Sequence, residues 1–230
     1  LHWNGTTWSI VTSPNTGASD NVLNSVTCVT ATDCTAVGYY NDGARYATLI
    51  LRWNGTTWNV VTSPNTGASD NVPNSVSCVS ASDCTAVGYY DDGTRNATLI
   101  LHWNGTTWTT VTVTVASSNF LNSVSCVNAS ECTAVGSYFD GIHNATLILH
   151  WNGTAWTTVT SPTSGTTNNY LSSVSCVSAS DCTAVGGDSD GTRNATLVLQ
   201  SVDPNPPAPS TSTSTSTTAA TDPVAPVFAG

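Results

Sequence analysis

The feature that most constrains the fold is an internal repeat of about fifty residues, which occurs four times along the chain. The block Trp-Asn-Gly-Thr-Thr-Trp at residues 3–8 returns at 53–58, at 103–108 and, with Ala155 in place of a threonine, at 151–156. A second block, which starts at Cys28 and ends at Gly38, returns from Cys78, Cys126 and Cys176. All eight tryptophans and all eight cysteines lie in these two blocks. One structural unit is therefore repeated along the chain.

Each unit contains four short runs rich in β-branched and aromatic residues, and turn signals separate these runs. In the unit that begins near Asn24 the runs are Ser25–Val29, Cys34–Tyr40, Ala47–Trp53 and Thr57–Thr62. The dipeptides Asp42-Gly43 and Asn54-Gly55 predict tight hairpins with primed turns, in which both central residues have positive φ. Four antiparallel strands in a repeat of this length are typical of a propeller blade. The predicted fold class is an all-β propeller of four-stranded antiparallel blades, four of them visible, because a solenoid of parallel rungs would need shorter repeats.

The two ends of the repeat region favour a closed ring. The chain begins in a third strand at Leu1–Trp3 and then supplies a fourth strand, whereas the last unit stops after its own third strand, Ala195–Leu199. An N-terminal strand that completes the last blade would remove both free edges. The same pairing between chains would give a polymer, and a fragment of a larger propeller would also begin and end in this way. The sequence leaves these alternatives open.

Composition divides the chain into a repeat domain, residues 1–202, and a stalk rich in Pro, Ser and Thr, residues 203–230. The stalk has too little apolar surface to fold, so we expect it to be extended and disordered. The formal net charge is −10 and the sequence contains no lysine. This charge argues against a nucleic-acid partner, which would need clustered basic residues. No signal peptide or membrane-spanning segment is recognisable, so contact with a membrane would need an anchor beyond Gly230.

The cysteines form one pair in each unit, with five residues between the two members and a turn between them. Opposed residues of a hairpin can approach within disulfide distance. Zinc is the rival interpretation, but its ligands must be close together and these pairs belong to different units. We therefore predict four disulfides and an oxidising compartment, which makes the protein secreted or exposed at the cell surface. The predicted disulfides are Cys28 with Cys34, Cys78 with Cys84, Cys126 with Cys132, and Cys176 with Cys182.

The most polar repeated feature is the Asp-Gly turn with the basic residue that follows it. If a ligand-binding rim exists, we expect it here, although Asp-Gly also makes a good turn for purely structural reasons. The candidate rim residues are Asp42, Arg45, Asp92, Arg95, Asp140, His143, Asp190 and Arg193.

Two further sets of repeated residues are candidates for a functional site. His2, Arg52, His102 and His150 share one repeat position, but equivalent residues of different blades are too far apart to hold one metal ion, so we predict no metal site. We interpret them as solvated residues beside a tryptophan. The tryptophans could stack on sugars, as in a lectin, but they alternate with leucine and valine along the strands, which favours packing between blades.

Eight asparagines match the acceptor sequence for N-glycosylation. They are Asn4, Asn54, Asn96, Asn104, Asn128, Asn144, Asn152 and Asn194. The stalk is the alternative carrier of glycans if the source is bacterial.

The motif Trp-Asn-Gly-Thr-x-Trp and the segment 75–88, Ser-Val-Ser-Cys-Val-Ser-Ala-Ser-Asp-Cys-Thr-Ala-Val-Gly, resemble repeats of secreted actinobacterial propeller-like proteins, over residues 1 to about 200. The resemblance implies a bacterial extracellular propeller and no particular activity.

No unit contains a constellation of acid, base or nucleophile that the others lack, so we predict that the protein is not an enzyme and needs no cofactor. The leading functional hypothesis is a scaffold for binding, adhesion or structure, with an unidentified protein or glycan as ligand. A lectin-like propeller and a filament subunit joined by strand exchange are the alternatives.

Overall fold

A computed structural model describes residues 1–3, 5–17, 19–67, 69–162, 168–189 and 191–201. The predicted stalk lies outside the described residues, as do two candidate site residues, Asn4 and Asp190. Within the described part of the chain the regular structure is entirely β-strand, and no helix is long and apolar enough to cross a membrane. The prediction of an all-β fold is confirmed.

The seventeen strands form five antiparallel sheets that follow one another along the chain. The N-terminal hairpin consists of β1 (His2–Trp3) and β2 (Trp8–Ser9). Sheet 1 consists of β3 (Asn21–Thr30), β4 (Asp33–Asn41), β5 (Tyr46–Trp53) and β6 (Trp58–Val61). Sheet 2 consists of β7 (Asn71–Ser80), β8 (Asp83–Asp91), β9 (Asn96–Trp103) and β10 (Trp108–Thr110). Sheet 3 consists of β11 (Asn119–Asn128), β12 (Glu131–Phe139), β13 (Asn144–Trp151) and β14 (Trp156–Val159). Sheet 4 consists of β15 (Asn169–Ser178), β16 (Asp181–Ser189) and β17 (Asn194–Gln200).

Sheets 1, 2 and 3 each have four strands in up-and-down order, so the strands of a unit pair with their neighbours in sequence. All four runs predicted for the unit near Asn24 are strands of sheet 1. The largest difference between the predicted and the observed strand bounds is in β3, which begins at Asn21, four residues before the predicted run.

A buried asparagine explains the longer first strand. Asn71 begins β7, is fully buried, and its side chain accepts a hydrogen bond from the Thr66 amide (2.7 Å) and donates one to the Ser69 carbonyl (2.9 Å). Asn21 makes equivalent bonds to Thr16 and Ser19. The asparagine thus ties the long connection between units to the start of the next sheet.

The first strand also carries a β-bulge, which requires a glycine on its partner strand. The register shifts between Leu23 and Ser25, opposite Gly38. A Cβ at Gly38 would lie 2.0 Å from the Val22 carbonyl oxygen, so only glycine fits. Gly88, Gly136 and Gly186 are equally enclosed in the other sheets.

The prediction of primed two-residue turns is wrong. The hairpin between β5 and β6 has a four-residue loop, 54–57, closed by a hydrogen bond from the Asn54 amide to the Thr57 carbonyl (3.2 Å). Among the described residues only glycines have positive φ, and Gly55 has φ 93°. The Asn54 side chain accepts from the Thr56 and Thr57 amides at 3.0 and 2.9 Å, so an Asx turn shapes the loop instead. The Asp42 turn is built in the same way.

Successive sheets pack face to face, and their first strands β3, β7, β11 and β15 lie side by side. We call the surface of a sheet that meets the preceding sheet its front face, and the opposite surface its back face. Val37 and Ile50 on the back face of sheet 1 pack with Leu99, Leu101 and Trp108 on the front face of sheet 2. The same arrangement recurs between sheets 2 and 3 and between sheets 3 and 4. These repeats are therefore β-propeller-like.

Side-chain hydrogen bonds repeat with the same period across the boundaries between sheets. Ser25 Oγ accepts from the Val76 amide at 3.3 Å, and Ser75 Oγ and Ser123 Oγ accept from the equivalent amides of the next sheets. The Asn24 side-chain amide donates to the Pro73 carbonyl at 2.8 Å. Polar as well as apolar groups therefore fix each sheet against the next.

The N-terminal strand does not pair with sheet 4, so a closed ring, which is one of the alternatives that the sequence leaves open, is not confirmed. Strand β1 pairs with β2, through His2 with Ser9 and Trp3 with Trp8, and sheet 4 has three strands among the described residues. The hairpin lies beside sheet 1, where Leu1 and Val11 line a cavity of about 330 Å³ together with Val26 and Trp58.

Candidate functional site: rims and faces of the repeated sheets

One disulfide joins the first two strands of every sheet. In each pair the cysteines are directly opposed in the ladder, with Cα atoms 4.0 Å apart, and no described cysteine is free. The four predicted pairings are confirmed. Cys84 and Cys132 are buried between sheets, so the disulfides belong to the packed interfaces as well as to the hairpins.

The candidate ligand rim is a set of structural turns. Asp42 accepts hydrogen bonds from the Ala44 and Arg45 amides, and Arg45 donates to the Gly67 carbonyl at 3.0 Å. The turn is therefore fastened to the connection between units. Asp92 and Arg95 repeat this arrangement, with Arg95 donating to the Ala116 carbonyl.

In sheet 3 backbone donors hold the corresponding turn. Asp140 accepts from the Ile142 and His143 amides at 2.8 Å. Arg193 in sheet 4 has interactions within the protein, and its partner position Asp190 lies outside the described residues. The rim residues therefore hold the turns and the connections between units in place.

Hydrogen bonding makes the rim carboxylates stronger acids than usual. The Thr94 hydroxyl, followed by the Thr94 amide, holds the pKa of Asp92 down at about 2. The pKa of Asp42 is also lowered, chiefly by the Ala44 and Arg45 amides, and that of Asp140 by the His143 and Ile142 amides. These carboxylates are therefore ionised acceptors rather than proton donors at neutral pH.

The opposite rim contains contacts between basic and acidic side chains that the sequence interpretation missed. Arg52, interpreted from the sequence as a solvated residue, pairs with Asp33 of the adjacent cysteine turn (2.7 Å) and donates to the Ala81 carbonyl of the next unit (2.9 Å). His102 lies 3.2 Å from Asp83 and His150 lies 3.3 Å from Glu131 in the same arrangement. The signal was present in the sequence, since each basic residue stands one strand away from an acidic residue in the cysteine turn.

These basic residues lie in separate pairs and not in one cluster. Each one contacts its own carboxylate, and no group of three or more metal-ligating side chains occurs in the part of the chain that the structure describes.

Most of the tryptophans are structural. Trp103, Trp108 and Trp156 are buried between sheets. The first tryptophan of the motif in sheets 1, 2 and 3 donates its indole N–H to a carbonyl of the cysteine turn, as Trp103 does to Ala81 at 3.1 Å. The N-terminal hairpin is the exception, because Trp3 and Trp8 are 48% and 65% exposed. The centroids of their rings lie 5.7 Å apart, as in sheets 1 and 2, and the corresponding distance in sheet 3 is 5.9 Å.

The described asparagines that match the glycosylation sequence lie on exposed turns or at strand ends. Asn54, Asn104 and Asn152 shape the hairpin loops with their side-chain oxygens, and Asn128 does so in a cysteine turn. Asn144 and Asn194 are exposed and begin β13 and β17, whereas Asn96 is half-buried at the start of β9.

A cavity of about 470 Å³ separates the outer parts of sheets 3 and 4. Sheet 3 contributes Val135, Ile148, Val159 and Pro162 to its walls, and sheet 4 contributes Cys182, Ala184, Leu199 and Ser201. At the corresponding place between sheets 1 and 2, Trp108 fills the space beside Val61. Among the described residues sheet 4 has no fourth strand to supply such a side chain.

No protein-family model matches the chain, and no match is found among the curated proteins. Among the solved structures that the fold resembles is "YCF48 bound to D1 peptide", with a TM-score of 0.48 and 17% sequence identity. The similarity covers 76% of this chain and 50% of that one, so the chain spans half the length of the matched structure.

Proposed function

We propose that the protein is a non-catalytic scaffold of the extracellular space or cell surface, a β-propeller-like array that serves binding, adhesion or structure. The observation that carries the proposal is that the repeated polar side chains of sheets 1, 2 and 3 act within the fold. Asp42 shapes a turn, Arg45 fastens that turn to a connection, and Arg52 pairs with Asp33. A repeated set of groups used in this way supports architecture rather than a single reactive centre.

The disulfides support an oxidising location. Four bonds that each lie within one hairpin are typical of proteins folded outside the cytosol. The test is to express the full chain in one host in two ways, secreted and retained in the reducing cytosol. The oxidation state of each cysteine is then determined by mass spectrometry without prior reduction. We expect folded protein with all eight cysteines oxidised only in the secreted fraction. A stable folded protein with free thiols in the cytosol would contradict the proposal.

A lectin is the second candidate, and it rests on the exposed Trp3–Trp8 pair alone, because the other described tryptophans are at least partly buried. A glycan array separates the candidates, with Trp8→Ala as the test variant and Ile142→Ala as the control at an exposed turn. Glycan binding that is lost only in Trp8→Ala would favour the lectin. Absence of any retained glycan, or retention by both variants, would count against it.

A further inference from the structure

Three hairpin loops between the third and fourth strands of a sheet, residues 54–57, 104–107 and 152–155, begin with the dipeptide Asn-Gly. The three asparagines are exposed, so water reaches their side-chain amides. Within such a dipeptide the glycine nitrogen lies close to the asparagine Cγ, and glycine has no side chain to hinder its approach. Whether the two atoms react in the folded protein depends on what surrounds the side-chain carbonyl and the glycine nitrogen.

The side-chain carbonyl of these asparagines is polarised by hydrogen-bond donors. Asn54 Oδ1 accepts from the amides of Thr56 (3.0 Å) and Thr57 (2.9 Å) and from the Thr56 hydroxyl (2.9 Å). Asn152 Oδ1 accepts in the same way from two amides and a hydroxyl of its own loop, all at 3.0 Å. Donors aimed at an oxygen stabilise the negative charge that this oxygen gains when a nucleophile attacks its carbon. The loops therefore favour attack on Cγ.

The glycine nitrogen is also available. Within the described part of the chain the amides of Gly55, Gly105 and Gly153 donate no hydrogen bond, and the bond that closes each loop comes from the asparagine amide instead. The glycine amides of the opposite rim are occupied, since Gly43 and Gly93 each donate to a side-chain oxygen at 2.8 Å. A glycine nitrogen of the Asn-Gly loops can therefore lose its proton without breaking a contact of the fold.

We propose that Asn54, Asn104 and Asn152 deamidate in the folded protein, without an enzyme, through a succinimide. Hydroxide takes the proton of the glycine amide, and the glycine nitrogen attacks Cγ of the preceding asparagine. The N–Cγ bond forms, the Cγ–Nδ2 bond breaks, and Nδ2 takes a proton from water and leaves as ammonia. A water molecule then opens the ring at one of its two carbonyls, which gives aspartate or isoaspartate. No atom is oxidised or reduced, and each conversion adds one negative charge to the rim.

The fold already contains a turn built on the aspartate product. Asp42 Oδ1 accepts from the amides two and three residues later, at 2.9 and 3.0 Å, and a glycine with positive φ follows it. Aspartate at position 54 would therefore keep the hydrogen bonds of the loop. Isoaspartate would add a methylene to the backbone where the loop packs closely, because a Cβ at Gly55 would lie 2.9 Å from Thr32 Cγ2. The folded chain should therefore give more aspartate, relative to isoaspartate, than the denatured chain.

The Asp-Gly turns of the opposite rim differ from the Asn-Gly loops in both reacting groups. The pKa of Asp92 is about 2, so its carboxylate is ionised at neutral pH and repels a nucleophile. The amide of Gly93 is held by Asp91 Oδ1. These turns should therefore form no succinimide at neutral pH.

The test uses the full chain with its disulfides intact, secreted from a host that attaches no N-linked glycans, and incubated at physiological pH and temperature. Peptide mapping by mass spectrometry then measures conversion of amide to acid. Asn128 is the internal control, because its Oδ1 accepts from the Ser130 amide (2.9 Å) and hydroxyl (2.8 Å) but alanine follows it. The three Asn-Gly loops should convert, and Asn128 should convert at least about five-fold more slowly because the alanine Cβ hinders attack.

Two results would overturn the proposal. One is a folded chain whose Asn-Gly loops keep their amides while the reduced, denatured chain loses them. The other is an equal ratio of aspartate to isoaspartate in the folded and denatured chains, which would mean that the reaction takes place in unfolded molecules.

Three variants test the details. Thr56→Val removes the hydroxyl donor and should slow conversion of Asn54 roughly five-fold, and an unchanged or faster rate would exclude activation by this hydroxyl. Thr106→Val is the matched control, because among the described contacts of its loop Thr106 donates to Asn104 through its amide alone (2.9 Å). Conversion of Asn104 should be unchanged, and an equal slowing there would also exclude the role of the hydroxyl. Asn54→Asp, which supplies the product directly, should keep the wild-type melting temperature, and a lower one would contradict the fit of aspartate in the loop.

Discussion

The front faces of sheets 1 and 2 have nearly the same residues and differ in what covers them. Val76 on sheet 2 is 5% exposed and Val26 on sheet 1 is 60% exposed, although both follow an identical Asn-Ser dipeptide. The strands themselves are equal in length, position and register. Strand formation in this protein therefore depends on the sequence of one unit, whereas burial depends on the neighbouring unit.

The same contrast exists at the other end of the array. Sheet 2 is covered on its back face by sheet 3, and its Val87 and Ile100 belong to a continuous apolar cluster. Sheet 4 has the same strand order in its three strands, yet Val198 is mostly exposed. Equivalent substitutions in central and terminal sheets should consequently have unequal effects, and this inequality can be measured.

The largest difference is expected for a charge placed on the front face. Val76→Asp puts an unpaired carboxylate between sheets 1 and 2 and should cost at least about 3 kcal/mol of unfolding free energy, enough to disrupt cooperative folding. Val26→Asp should change the unfolding free energy by no more than about 0.5 kcal/mol in dilute monomeric protein. Denaturant titration followed by tryptophan fluorescence measures both. Equal losses would mean that a sheet's own residues, and not its neighbour, determine its burial.

The next comparison is between Trp108 and Trp8, which occupy the same position in the repeat. Trp108→Ala empties a site between sheets 1 and 2 and should cost about 3–5 kcal/mol, because a large buried side chain is lost and a cavity remains. Trp8→Ala removes an exposed ring and should cost less than about 0.5 kcal/mol in the monomer. The comparison fails if Trp8→Ala destabilises the monomer as strongly as Trp108→Ala in thermal and denaturant unfolding.

The repeat predicted the strands well because their signal is local. Alternation over Ala47–Trp53, the paired cysteines and the turn dipeptides each constrain a few adjacent residues, and strand order and disulfide pairing follow from them. The long β3 was underestimated because its first residue, Asn21, is polar, and its hydrogen bonds to the preceding connection replace an apolar pattern.

Features that depend on distant contacts could not be predicted in the same way. The hairpin loops were assigned as primed turns, since the dipeptide alone does not reveal that the Asn54 side chain organises a four-residue loop. The pair of Arg52 with Asp33 spans nineteen positions and is recognisable only once β4 and β5 are known to be neighbouring strands. The strand count left a closed ring, a polymer and a fragment of a larger propeller open, and in the structure β1 pairs with β2 beside sheet 1, so a closed ring is not confirmed.

Each disulfide should contribute a similar amount to the unfolding free energy in central and terminal sheets, so the expected difference between the sheets is smaller here. Replacing Cys78 and Cys84 by alanine should cost about 2 kcal/mol from the short closed loop, with an added cost because Cys84 is buried. Replacing Cys176 and Cys182 should cost about 2 kcal/mol with a smaller addition, since Cys182 is only partly buried and borders the cavity. Denaturant unfolding should therefore show a larger loss of unfolding free energy for the double variant in sheet 2 than for the double variant in sheet 4. The reverse order would contradict the role of the neighbouring sheet.

The smallest effect concerns one residue that distinguishes equivalent rim turns. Asp92 has a pKa of about 2 because the Thr94 hydroxyl donates to it at 2.6 Å, whereas Ala44 follows Asp42 at the same position and offers only its amide. A carboxylate whose pKa is lower in the folded state stabilises the fold above its unfolded pKa of about 4, and this contribution disappears as the pH falls toward 2. Thr94→Ala should therefore raise the pKa of Asp92 in an NMR titration of the side-chain carboxyl. Between pH 4 and pH 2 the melting temperature of Thr94→Ala should fall less than that of the wild type. The melting temperature of Asp92→Asn, which keeps the acceptor oxygen without the charge, should fall less still. An unchanged Asp92 titration in Thr94→Ala would mean that the backbone amides alone set the acidity, and that the rim turns of sheets 1 and 2 are equivalent in their chemistry as well as in their shape.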